Sequence, residues 1–186
     1  MSNLKQVFVK SLLPVVALMS FAHTAHAAVS DEPRGYIGAL AGGNRPTEKN
    51  ADITPTIGVT LGAKLAPSFG IGLLTTYYWQ KSEGTLFGLP AGTSTSTLVV
   101  AGQGSYFISG LHLGGEIGAA ISTWSGHFST LEASESKTAM VVGPVIGYDL
   151  MVMRSLSIGA EAHYLFTTAD NGFDNVQVFA VVKLWM

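Results

Sequence analysis

Between Leu111 and Ser122 the chain alternates almost without error. Leu111, Leu113, Gly115, Ile117, Ala119 and Ile121 fall on one parity, and His112, Gly114, Glu116, Gly118, Ala120 and Ser122 on the other. One face is greasy; the other is small and polar, with a carboxylate at its middle. A period of two over a dozen residues is a β-strand rising roughly 3.3 Å per residue, long enough at a tilt to cross an apolar band of ~25 Å.

Seven other stretches predict strands: 35–43, 53–65, 69–81, 95–107, 138–152, 156–167 and 175–186. The facing of the first, rich in Gly, is open. In the others the apolar parity includes Ile57, Val59 and Leu61; Ile71, Leu73 and Tyr77; Met140, Val142 and Ile146; Ile158, Tyr164 and Phe166; and Val176, Val178 and Val182. Pro144 interrupts the sixth strand, where a central strand loses a ladder hydrogen bond, and a bulge is expected there.

The connections alternate in length. Residues 44–52, 82–94, 123–137 and 168–174 read as long loops, whereas Ala66-Pro67-Ser68, Ile108-Ser109-Gly110 and Met153-Arg154-Ser155 read as tight turns. Eight strands with long loops at one end and short turns at the other make an all-β, eight-stranded antiparallel up-and-down transmembrane β-barrel, with long loops outside the cell. The competing reading is a soluble barrel with its greasy face inward. Lipid is favoured because the opposite stripe, mostly Gly, Ala, Ser and Thr, suits a narrow lumen and would make a poor solvent surface. Aromatics also gather at strand ends: Tyr77, Trp79, Tyr164 and Phe166 toward the long loops, Phe69, Tyr106 and Tyr148 toward the turns. Such pairs of girdles mark the two membrane interfaces. Ile117→Arg is therefore expected to cost far more than Gly118→Ser.

The N-terminus is excluded from this fold. Lys5 and Lys10 precede an apolar run from Leu12 to Ala22 and a small-residue site at Ala25-His26-Ala27, which predicts a signal peptide over 1–27 and a barrel domain over 28–186. Its removal takes two lysines and no acid, so a formal charge of −2 becomes −4. That balance leaves no nucleic-acid footprint. Charged residues are 12% of the chain, against about 25% in ordinary soluble domains. With no Cys, disulfides, thiolate nucleophiles and Cys-based metal sites are excluded.

In strand number, connection lengths and mature length the chain resembles the small outer-membrane barrels, the group containing the OmpA transmembrane domain, OmpX, OmpW and the neisserial surface proteins. The resemblance implies an outer-membrane location reached through the periplasm, with the insertion machinery, outer-membrane lipid and lipopolysaccharide as partners. Members commonly finish on an outward-facing aromatic that serves assembly. Here Trp185 falls on the inward parity and Met186 is last, a departure from that ending.

The inward parity collects Lys64, Gln103, His112, Glu116, Asp149, Glu161, His163, Gln177 and Lys183. Charges in a narrow lumen are tolerated when paired, so a salt-bridged plug is the leading reading, with a narrow channel for small solutes as the alternative. Glu116 and Glu161 are expected at similar depth as a carboxylate couple that is either protonated or paired with His163, while Lys64 and Lys183 suit Asp149 better than either glutamate. His112, Glu116, Glu161 and His163 have metal-ligand types without a characteristic spacing, so no metal or cofactor is expected.

Two further segments bear on chemistry. His127-Phe128-Ser129, with Glu132 and Glu135, resembles the His-x-Ser plus acid arrangement of outer-membrane lipid A deacylases, and the residue types suit a hydroxyl nucleophile, its base and an orienting acid. In that family these residues lie on a lipid-facing strand; here they read as loop. Leu86, Phe87 and Leu89 are apolar in a loop expected outside the cell, where they fold over the barrel mouth or form a contact patch. The expectation is a non-enzymatic protein with a structural or surface-binding role through residues 82–94 and 123–137, with a lipid A-modifying acyl hydrolase as the runner-up.

Overall fold

A computed structural model describes residues 34–48, 52–86, 89–128, 131–168 and 174–186; the signal peptide expected over 1–27 lies outside them. Eight strands follow one another: β1 (Arg34–Pro46), β2 (Thr54–Ala66), β3 (Phe69–Leu86), β4 (Leu89–Ile108), β5 (Leu111–Phe128), β6 (Leu131–Met153), β7 (Leu156–Thr167) and β8 (Asn175–Trp185). Each pairs antiparallel with the next, and β8 returns to β1, with Tyr36 opposite Trp185 and Asn44 opposite Gln177. A closed ring leaves no strand of the spanning band without a partner on each side, the condition for crossing hydrocarbon.

The parity read from sequence is the facing observed. Along β8 burial alternates residue by residue. Ile57, Ile71, Ile117, Met140, Ile146 and Val178 are exposed outward, whereas Leu74, Val99, Leu165, Phe179 and Val181 are buried inside. In β1, Tyr36, Gly38 and Leu40 face in and Ile37, Ala39 and Ala41 face out. An unbroken apolar exterior over a polar and apolar interior is a wall built for lipid.

Two expected loops are strand. β3 and β4 continue through most of residues 82–94 and β5 and β6 through most of 123–137, in unbroken register from Trp79↔Ser96 to Leu86↔Leu89 and from Thr123↔Ser136 to Phe128↔Leu131. Ser- and Thr-rich runs with water on both faces need no apolar alternation, so periodicity does not find them. Leu86 and Leu89 close the β3–β4 hairpin, and Phe87 lies outside the described residues.

Pro144 makes no bulge. Between β6 and β7, Val142↔Phe166 and Val145↔His163 hold the same register, and only the intervening pairs are missing. The ring absorbs the absent N–H as a gap in one ladder. Register shifts instead fall beside the short turns, between Lys64 and Ala66 and between Met151 and Met153, where bulges commonly end pairing.

Candidate functional site

The nine polar residues expected in the lumen come from β2, β4, β5, β6, β7 and β8. Eight are buried, and Gln103 is half-buried. Six of them form one connected cluster with Gln103 at its rim. Gln103 Nε2 donates to Glu116 Oε2 at 3.3 Å. The Glu116 carboxylate faces His163 Nδ1 at 3.1 Å, and the other ring nitrogen, Nε2, faces Glu161 Oε2 at 3.2 Å. Glu161 Oε1 lies 3.3 Å from His112 Nε2 and 2.7 Å from Lys183 Nζ. Lys183 also donates to Asp149 Oδ2 at 2.8 Å, and His112 Nδ1 is 3.5 Å from the same oxygen.

The expected division of partners is corrected here. Lys183 serves Asp149 and Glu161 together, because Ser157 is its direct partner on β7 and Glu161 lies four residues further along the same face, within reach of a four-carbon stem. Gly147 makes room for this crossing, since a Cβ there would run into His112 Nε2 and Glu161 Cγ. Lys64 stands apart, its ammonium 5.8 Å from the centre of the Phe107 ring, a cation–π contact. Gln177 is fully buried opposite Asn44 on the side of the cluster toward the long connections.

Apolar layers complete the filling. Val99, Ala101, Ala120, Val141 and Leu165 form one cluster and Leu40, Leu74, Phe179 and Val181 another. The His163 ring meets Phe179 edge-on at 5.4 Å. At the turn end Trp185 points inward, donates from Nε1 to Ser157 Oγ at 2.9 Å and packs on Tyr36 at 4.9 Å. Sequence parity predicts that facing but not the bond, which depends on register. No group of three or more His, Asp or Glu among the described residues is arranged to hold a metal.

Beyond the membrane band the structure adds a second feature that the sequence reading missed. Pairing of β2 with β3 stops at Thr56↔Tyr78, and pairing of β6 with β7 at Val141↔Thr167, followed by bonds from the Thr168 N–H and hydroxyl to Met140 O. β3, β4, β5 and β6 continue past these points as a four-stranded sheet. Among the described residues its outer strands, β3 from Trp79 to Leu86 and β6 from Leu131 to Ala139, each pair with a strand on one side only. Hydroxyls knit the sheet: Thr97 with Ser122 at 2.9 Å and Thr123 with Ser136 at 3.0 Å.

Of the hydrolase candidates, His127 and Glu132 fall on strands near the tip of this sheet rather than in a loop. His127 is on β5, directly opposite Glu132 on β6; Ser129 lies outside the described residues. Glu135 pairs with Lys137 at 3.4 Å, and both are exposed.

No family model matches the sequence, and no curated protein matches it. Solved structures do match in fold. Ail, the attachment invasion locus protein of Yersinia pestis, crystallised with the heparin analogue sucrose octasulfate, aligns with a TM-score of 0.60 at 11% identity over 83% of this chain and 97% of its own. A major outer membrane protein from Thermus thermophilus aligns at 0.54, with 12% identity, over 83% and 99%. With its closed ring of eight antiparallel strands, the chain has the fold of the small outer-membrane β-barrels.

Proposed function

We propose that this protein is a non-enzymatic surface-binding protein of the Gram-negative outer membrane, exported through the periplasm, which presents its β3–β6 sheet to an extended segment of a partner protein. The observation that carries the reading is the pair of one-sided strands, Trp79 to Leu86 and Leu131 to Ala139. Unpaired edge strands are templates for a further strand, and addition of a peptide strand at such an edge is a general recognition mode. A filled lumen beneath the sheet favours a scaffold over a solute path.

Ail was crystallised with a sulfated heparin analogue, but charge argues against a polyanion here. The sheet carries Lys81 and Lys137 against Glu83, Glu132 and Glu135. Backbone pairing needs no net charge and suits this surface better.

Proline scanning of the β6 edge tests the reading. Met140 accepts from Thr168, the residue after β7, so even-numbered residues of β6 turn their backbone groups toward that side, and above it Ser134 and Ser136 present theirs to the free edge. Ser134→Pro removes an edge donor without breaking a bond to β5, and Ser136→Pro removes another while giving up only the hydroxyl contact with Thr123. Cells displaying the protein should adhere to immobilised serum or matrix proteins, and both substitutions should abolish adhesion while the barrel stays inserted. Adhesion that survives both substitutions and the matching β3 edge changes would refute strand addition.

A further inference from the structure

A hollow of about 380 Å³ lies in the wall at the β6–β7 gap, most of its lining residues on the outward parity and the inward-facing Gly114, Val145 and His163 making up the rest. Pro144 and Ala162 lie in it between the larger Leu113, Ile146, Tyr164 and Val176, and Pro144 stands opposite Gly115, which has no side chain. The gap in the β6–β7 ladder thus coincides with a dent in an otherwise continuous apolar surface. An unfilled dent forfeits the dispersion contacts of every group lining it, and in this band the available filler is hydrocarbon.

Register connects the dent to a cation. The common register on either side of the gap sets Pro144 level with Tyr164; Tyr164 pairs with Val176, and Val176 with Arg45. Three strand spacings separate Pro144 from Arg45, roughly 14 Å. Because the strands of such barrels tilt by about 40°, this row of partners climbs diagonally across the wall. Its upper end is Arg45, exposed and one residue from the end of β1 on the side of the long connections. A guanidinium at the interface, with an apolar trough descending from it, matches a phosphorylated, acylated lipid, and Arg pairs with phosphate in bidentate fashion.

We propose that Arg45 and the hollow beside Pro144 form a seat for one lipid A molecule of the outer leaflet, its phosphate on Arg45 and one acyl chain lying against Pro144 and Ala162. The outer leaflet follows from the position of Arg45 at the end bearing the long connections, which in this architecture lies outside the cell.

The test uses the mature chain folded into bilayers holding equal amounts of lipid A and phosphatidylglycerol, extracted in mild detergent and weighed intact by native mass spectrometry. One retained lipid A per barrel is expected. Arg45→Gln and Ala162→Phe should each lower the retained fraction by at least about fivefold, whereas Ala63→Phe, outward on β2 and away from the hollow, should leave it unchanged. Should Ala162→Phe fail to fold, Val176→Trp at the rim of the hollow carries the same expectation. Equal retention in all variants overturns the seat, as does loss in Arg45→Gln alone. Retention of phosphatidylglycerol as strong as that of lipid A overturns the assignment to lipid A.

Discussion

The Lys183 ammonium lies 2.7 Å from Glu161 Oε1, although the two residues enter the lumen at different levels of neighbouring strands. With Asp149 on its other side at 2.8 Å, this lysine is a buried cation shared by two carboxylates. Removing one partner from a buried ionic group leaves uncompensated charge, which costs about 3–5 kcal/mol. Lys183→Met should therefore destabilise the barrel by that amount in urea titrations from lipid vesicles. Adding Asp149→Asn should recover part of the loss by removing one stranded charge.

His163 holds both ring nitrogens against carboxylates, Nδ1 on Glu116 and Nε2 on Glu161. A neutral imidazole has one N–H, so donation to both carboxylates requires the imidazolium form. Nitrogen-15 NMR of the barrel in micelles at neutral pH should show both nitrogens of His163 protonated. Glu116→Gln leaves an oxygen able to accept from Nδ1 and should be tolerated far better than Lys183→Met.

Ile117 is exposed to lipid near the middle of β5. Ile117→Arg should cost roughly 2–4 kcal/mol near the bilayer midplane. The sequence alone makes Gly118→Ser look mild, but a Cβ at position 118 would collide with the Val100 carbonyl oxygen and Ala101. We expect Gly118→Ser to be costly as well, with backbone collision as its cause. Refolding both variants into vesicles of different thickness separates the effects: the arginine penalty should vary with bilayer thickness and the serine penalty should not.

How far the sequence could be read depends on what each feature answers to. Strand parity answers to burial, so β5 through β8 and the inward turn of Trp185 are legible in alternation. The hairpin extensions are not, because runs such as Glu132 to Lys137 have the composition of a loop and reveal themselves only through cross-strand partners. The Lys183–Glu161 pair depends on the relative shift of neighbouring strands, which side-chain pattern does not encode.

Heat modifiability is expected, since a ring without free edges inside the membrane band has no strand to yield to detergent. Unheated samples should migrate differently from boiled ones on a denaturing gel. The same assay serves as the folding control for every substitution above.

Expression in a host of known lipid A composition should leave its acylation unchanged, and Ser129→Ala should make no difference to the lipid A mass spectrum. Loss of an acyl chain that depends on Ser129 would restore the hydrolase reading.

Closure of the ring by β8 on β1 also sets an order of events in assembly. Tyr36 and Trp185 meet across almost the whole length of the chain, while each hairpin pairs residues close in sequence. The entropy of closing so long a loop makes that last seam the slow step. Until it forms, β1 and β8 are both open edges at membrane depth, so the protein's exposure to aggregation is concentrated in this one interval.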